Sequence, residues 1–383
     1  MTMAADKQDK VLNVPNKREQ SQTCLNSAER AGLRPKGNVP TLRFPEFSGE
    51  WLATTIDGVT SEFQSGKFIK ADLIQSKGSV PVYGGNGLRG YTDTYNHIGD
   101  YVLIGRQGAL CGNVRFVTGE TYITEHAIAV KGTEDNDTKY LQYLFERMNL
   151  GQYSDQSAQP GLAVSKLIKL KITIPPKREQ SKIARLLTVI DERITTQIRI
   201  INELQSLIIG LEQTLLKPQS SWTSCFIGDV LSIGSGRDYK HLSKGDIPVY
   251  GTGGYMLSVN DFLYDGESVC IGRKGTIDKP LYLHCKFWTV DTLFYTYDFR
   301  EILPRYCYYL FNTINWLKYN EASGVPSLSK DTIERIKISI PSIEEQKRVC
   351  DIIDSVDEKL SLENTLLEKM ISLKQFLLSS LFV

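Results

Sequence analysis

The sequence predicts an α+β protein in which two similar, pseudo-symmetric β-rich domains are separated by two long antiparallel helices that pair as a coiled coil. Three observations carry this. First, the chain repeats itself: Val80-Pro81-Val82-Tyr83-Gly84 returns as Ile247-Pro248-Val249-Tyr250-Gly251, and Ile104-Gly105-Arg106-Gln107-Gly108 returns as Ile271-Gly272-Arg273-Lys274-Gly275. The period is about 166 residues, far above that of solenoids, so each copy is a complete folding unit. Second, each copy ends in a heptad run. The first run is Ile183, Leu187, Ile190, Ile194, Gln197, Ile201, Leu204, Ile208, Leu211 and Leu215; the second is Val349, Ile353, Val356, Leu360, Glu363, Leu367, Met370, Lys374, Leu377 and Leu381. Third, the rest of each copy reads as short strands punctuated by glycine turns, without sustained helical periodicity.

Taken in order, residues 1–39 are rich in Lys, Gln, Asn and Ser and read as a loosely ordered arm outside the duplication. Residues 40–175 form the first β-rich domain and 218–341 the second, each with one peripheral helix (138–148 and 305–317) and a closing edge strand (167–174 and 333–340). The long helices occupy 176–217 and 342–383, each about 40 residues and so roughly 60 Å. Pro175-Pro176 opens the first with residues that need no donor, and Ser342 with Glu345 supplies a capping box for the second. Gln197 and Glu363 interrupt the two seams at matching places near the helix centres. In an antiparallel pair they approach each other, where their polarity sets register.

Composition bounds the chemistry only loosely. Lys plus Arg at 45 against Asp plus Glu at 44 leaves a net charge of +1, so no global basic excess argues for nucleic acid and none argues against a local patch. Cys24, Cys111, Cys225, Cys270, Cys285, Cys307 and Cys350 occur singly without any C-x-x-C, which suits reduced thiols in a cytoplasm better than disulfides or zinc. No apolar run approaches a membrane span, and the N-terminus has no signal-peptide core.

Catalytic patterns are missing. Gly85-Asn86-Gly87-Leu88-Arg89-Gly90 matches a dinucleotide loop in letters, but the residues after it do not open a helix, so it reads as a turn. There is no Walker A loop, H-E-x-x-H or G-x-S-x-G, and His97, His126, His241 and His284 do not match between copies. Glu125 and Asp291 do align, as single acceptors rather than an acid/base pair.

What the copies share is glycine-rich loops bearing side chains suited to phosphates and base edges. Candidate DNA contacts are Lys67, Tyr83, Asn86, Arg89, Arg106 and Gln107 in the first copy, and Arg237, Lys240, Tyr250, Thr252, Arg273 and Lys274 in the second. For Arg106 and Arg273 two readings stay open, contact with DNA or an ion pair with Glu125 or Asp291. For the lysines, a solvated surface stands beside phosphate contact. Several loop positions differ between copies, Gln107 facing Lys274 and Asn86 facing Gly253, which suits two modules reading different sequences.

Phe44-Pro45-Glu46-Phe47, the paired Pro-Val-Tyr-Gly and Gly-Arg-x-Gly motifs, and above all the twofold Ile-Pro-x-x-x-x-Gln passage into a heptad helix (Ile174 to Gln180, Ile340 to Gln346) resemble the specificity subunit of type I restriction–modification enzymes. The resemblance implies a non-catalytic reader of double-stranded DNA with two target recognition domains, each contacting half of a bipartite asymmetric site through the major groove. It implies partners: two methyltransferase subunits that carry S-adenosylmethionine, and two restriction subunits that use ATP and Mg for translocation and cleavage. No cofactor or metal is expected on this chain. The coiled coil would set the half-site spacing, about 34–36 Å if both modules read the groove from one side. Rival classes are a scaffold whose β-domains bind protein or glycan, and an enzyme with an unfamiliar site at Glu125 and Asp291.

Overall fold

The structure is a computed structural model and describes residues 37–108, 110–154 and 161–383. The expected arm lies almost wholly outside these residues, as does Cys24. The chain divides into two compact units, one running through Asp191 and including Ser372–Val383, the other Glu192–Ile371, so each unit holds part of both long helices.

In the first unit the strands are β1 (Leu52–Thr55), β2 (Thr60–Ser65), β3 (Val80–Gly84), β4 (Gly87–Thr92), β5 (His97–Ile98), β6 (Tyr101–Gly105), β7 (Val114–Val117), β8 (Glu120–Ile123) and β9 (Ala127–Gly132). Helix α1 (Thr138–Met148), β10 (Lys171–Ile174) and the long helix α2 (Lys177–Leu215) follow. Strand order is β2-β9-β6-β7 in one sheet, β4-β3-β8-β5 in another, with β1 and β10 paired antiparallel. Strand β6, Tyr-Val-Leu-Ile-Gly, is buried along its whole length because alternate residues face two cores. Val102 and Ile104 pack with Tyr140, Tyr143 and Phe145 of α1, while Tyr101 and Leu103 pack with Val117 and Ile123. Each such fully buried side chain contributes about 1.5–3 kcal/mol over an exposed one.

The second unit repeats the plan with β11 (Thr223–Phe226), β12 (Ser232–Ser235), β13 (Lys244–Gly251), β14 (Gly254–Val259), β15 (Tyr264–Gly272), β16 (Leu281–Thr289), β17 (Leu293–Tyr297), α3 (Pro304–Thr313), β18 (Lys337–Ile340) and the long helix α4 (Ile343–Ser380). Here β5 and β6 are merged into β15, and β7 and β8 into β16, giving one six-stranded sheet, β12-β17-β15-β16-β13-β14. In the first copy Gly119 turns the chain between β7 and β8 at φ 83°, whereas Cys285 at the matching place continues the ladder opposite Gly266.

Two expectations need correction. The closing strands are shorter than 167–174 and 333–340, because Val164–Leu167 and Lys330–Glu334 form helical turns first; Ser329 accepts from the Thr332 N–H to cap the second. The peripheral helix expected over 305–317 stops at Thr313, where Ile314 becomes extended and a 3-10 turn, Trp316–Tyr319, follows.

Every seam position of both helices is buried or half-buried. The pairing is antiparallel: in the first unit Lys374 of α4 meets Asp191 of α2 at 2.8 Å. In the second unit Gln197 Nε2 donates to Glu363 Oε2 at 2.6 Å and to the Glu363 carbonyl at 3.0 Å. Gln197 is buried, so the polar interruption of one seam is satisfied by that of the other.

The recurring glutamine that opens each helix now has a physical reason. Gln346 Nε2 donates to the carbonyls of Pro341 (3.0 Å) and Glu301 (2.9 Å), while its Oε1 accepts from the Leu303 N–H at 2.8 Å. Gln180 likewise donates to the Pro175 carbonyl and Asn136 Oδ1 and accepts from the Asp137 N–H, all at 2.9 Å. Both amides are buried, and each ties the start of a long helix to the loop that precedes the peripheral helix. Ser342 Oγ accepts from the Glu345 N–H at 3.3 Å, the serine half of the expected capping box.

The described cysteines are all free. Burial pushes the thiols of Cys270 and Cys350 up to about 12 and that of Cys307 well up, whereas Cys285 is exposed. Iodoacetamide at neutral pH should therefore alkylate Cys285 at least about tenfold faster than Cys270, Cys307 or Cys350, since the thiolate is the nucleophile. Equal labelling rates by mass spectrometry would contradict this burial pattern.

Candidate functional site

In each copy the glycine-rich loops hang from one short segment, residues 123–127 in the first and 289–293 in the second. The Lys67 N–H donates to the Ile123 carbonyl (2.9 Å), the Thr124 N–H to the Tyr83 carbonyl (2.8 Å), and the Arg106 N–H to the His126 carbonyl (2.9 Å). The second copy repeats this bond for bond: Arg237 N–H to Thr289 O (2.8 Å), Val290 N–H to Tyr250 O (3.0 Å) and Arg273 N–H to Thr292 O (2.8 Å). The other side of each arginine is fixed too, since Leu162 donates to the Arg106 carbonyl and Leu328 to the Arg273 carbonyl, both at 2.9 Å.

These loops approach backbone to backbone, which is why glycine precedes the first cation of each set. A Cβ on Gly66 would lie 2.2 Å from the Ile123 carbonyl oxygen, and one on Gly236 would lie 1.9 Å from that of Val290. The two glycine loops of the first copy also touch, a Cβ on Gly105 falling 2.7 Å from the Gly85 oxygen.

The side chains gather accordingly. Asn86, Arg89, Gln107 and His126 line a recess of about 400 Å³ in the first unit. Arg273 and Lys274 line a cleft of about 840 Å³ in the second, together with Asp291, Glu321 and Lys330. Arg237, Tyr250 and Thr252 belong to the loops held by residues 289–293, and a Cβ on Gly275 would meet Thr252 Oγ1 at 3.5 Å. Burial raises the Tyr250 phenol, which keeps it protonated and able to donate. Lys240 stands apart, exposed on the next turn with its N–H on Asp238. In place of the ion pairs weighed for the arginines, Glu125 Oε1 lies 3.3 Å from His126 Nε2, and Arg273 donates to the Asp291 carbonyl rather than its carboxylate. Among the described residues no group of His, Cys, Asp and Glu could hold a metal, and no helix is long and apolar enough to cross a membrane.

The family model for the type I restriction modification DNA specificity domain matches twice, over residues 49–206 and 219–370. The chain belongs to the type I restriction–modification specificity family. This specificity subunit, with its two recognition domains, is 41% identical over 154 residues to the EcoprrI specificity subunit of Escherichia coli, a match spanning 39% of this chain and 38% of that relative. It is 25% identical over 325 residues, 76% of this chain and 83% of the other, to the putative specificity subunit S.HindORF215P of Haemophilus influenzae. Its fold is similar to that of the S subunit from M. genitalium, with a TM-score of 0.68 at 21% identity over 90% of this chain and 99% of that one. A chain from a structural study of complex assembly and conformational transition in the type I R-M system gives 0.53 at 14% identity, covering 88% and 98%.

Sequence reasoning did not single out His126, Lys330 or Arg115, whose guanidinium lies 3.0 Å from where a Cβ on Gly87 would be. Arg115 lies on β7, His126 between β8 and β9, and Lys330 opens a helical turn, all outside the glycine-rich loops, and only the fold brings His126 to the first recess, Lys330 to the second cleft and Arg115 beside Gly87.

Proposed function

We propose that this specificity subunit reads double-stranded DNA with two loop clusters, one per recognition domain, each taking one half of a bipartite asymmetric target. The observation that carries the reading is the pair of loop clusters built on the same backbone bonds but bearing different side chains: one scaffold presents Asn86, Arg89 and Gln107, the other Thr252, Arg273 and Lys274. Equal backbones place the loops alike, and unequal side chains select different bases. The paired helices set the spacer, with the Gln197–Glu363 bond fixing their register, and they dock two methyltransferase subunits. The chain itself is non-catalytic. S-adenosylmethionine, ATP and Mg belong to the methyltransferase and restriction/translocase subunits, and the assembly works in the cytoplasm, where its DNA is.

Replacing residues 51–165 by the equivalent region of a relative with a different target tests this. Sequencing methylated adenines in cells expressing the chimera with its methyltransferase should show one half of the site changed and the other kept. An unaltered site would refute the reading.

A further inference from the structure

We propose that Gln107, positioned by His126 and Glu125, makes the first recognition domain select adenine over guanine at one position of its half-site. The inference rests on the reading that the loops of this domain contact DNA. His126 sits between the other two side chains, its Nε2 3.3 Å from Glu125 Oε1 and its Nδ1 3.1 Å from Gln107 Oε1. Glu125 Oε2 is buried and takes no hydrogen bond, so the described partner of this carboxylate is His126. A carboxylate only accepts, so it fixes the ring, and the ring fixes one end of the Gln107 amide.

An amide carries two N–H donors and two acceptor lone pairs. With one of these spent on His126, Gln107 keeps a donor and an acceptor for the recess, the pair that matches N7 and the N6 amino group of adenine. Guanine offers two acceptors there, N7 and O6, and leaves the amide oxygen facing another oxygen. Gln107 is exposed and borders the recess also lined by Asn86 and Arg89. The second copy lacks the device: Asp291 and Thr292 stand where Glu125 and His126 stand, and Lys274, which donates but cannot accept, replaces Gln107. A donor-only side chain favours guanine.

The test uses the whole chain assembled with its methyltransferase subunits and a duplex library randomised across both half-sites, with bound duplexes sequenced. Gln107→Lys should replace adenine by guanine at one position of one half, a reversal of about tenfold or more, and leave the other half unchanged. His126→Ala should flatten the preference at that same position without weakening binding to duplexes that lack the site, a result that a purely structural histidine would not produce. Lys274→Gln with Thr292→His should move one position of the other half toward adenine. The proposal is overturned if the wild-type first half contains no adenine, or if Gln107→Lys and His126→Ala both return the wild-type sequence. The 51–165 exchange, run in the same assay, separates the two levels. A changed half-site there, with silent Gln107 variants, sinks this assignment and keeps the DNA-reading function; an unchanged one sinks both.

Discussion

Gln346→Ala is expected to destabilise the second recognition domain by about 2–4 kcal/mol, because one truncation strands three buried or part-buried backbone groups. The Leu303 N–H loses its acceptor, and the carbonyls of Glu301 and Pro341 lose their donors, in a place where Gln346 itself has no exposure. Water is kept out by Val349, Cys350 and Ile353 one to two turns along α4, all part of the same core. A cavity adds to the loss. Gln346→Met separates the terms, since it fills the volume without restoring the bonds; it should recover only part of the stability in urea titrations of the full chain. Wild-type stability in the methionine variant would mean that the hydrogen bonds contribute nothing. Gln180→Ala should act in the same direction in the first unit, where two of the three bonds recur and the third goes to the Asn136 side-chain oxygen instead of a backbone carbonyl.

Those glutamines mark where legibility in the sequence stops. Their repetition is visible in the letters, but their reason is not, because two of the three partners of each lie more than forty residues earlier and the partners are mostly backbone groups. The heptad seams, by contrast, are readable residue by residue: Ile183, Leu187, Val349 and Ile353 are all buried, and even the polar positions Gln197 and Glu363 fall where an antiparallel pair needs them. Helical period is a local property of the chain, so local reasoning recovers it. The loop clusters are intermediate. Gly66 and Gly85 announce close approach, yet the segment they approach, residues 123–127, looks unremarkable in sequence because it contributes carbonyls and N–H groups that every residue has. His126 was hidden for the same reason. The division of the first copy's main strands into two four-stranded sheets, against one six-stranded sheet in the second, hangs on where glycine interrupts the strands, and that depends on pairing partners the sequence does not name.

Arg43→Ala is expected to cost about 2–3 kcal/mol, the second large effect, because it leaves a buried carboxylate without its counter-ion. Arg43 grips Glu179 with two N–H groups, each at 2.8 Å, and the Glu179 side chain is only 1% exposed. A further N–H of Arg43 reaches the Gly49 carbonyl at 2.5 Å, so the guanidinium also folds the Phe44-Pro45-Glu46-Phe47 turn onto α2, where Lys182 meets Glu46 and lies 4.5 Å from the centre of the Phe44 ring. The neighbouring residues bind the far end of the other long helix: the Leu42 N–H donates to the Ser380 carbonyl at 2.9 Å and Thr41 Oγ1 at 3.2 Å, satisfying an acceptor that the last turn of α4 cannot pair. One short segment therefore ties the start of α2 to the end of α4. Two terms hold the cost below that of a fully buried pair. Arg43 keeps 13% of its exposure, and Glu179 sits in the first turn of α2, where the free N–H groups and the helix dipole favour negative charge. A double-mutant cycle isolates the pairing. Glu179→Gln in the Arg43→Ala background should restore part of the lost stability by removing the unpaired charge, whereas the same change in the wild-type background should destabilise. If the two losses instead add within about 0.3–0.5 kcal/mol, the residues do not couple and the clasp is packing alone.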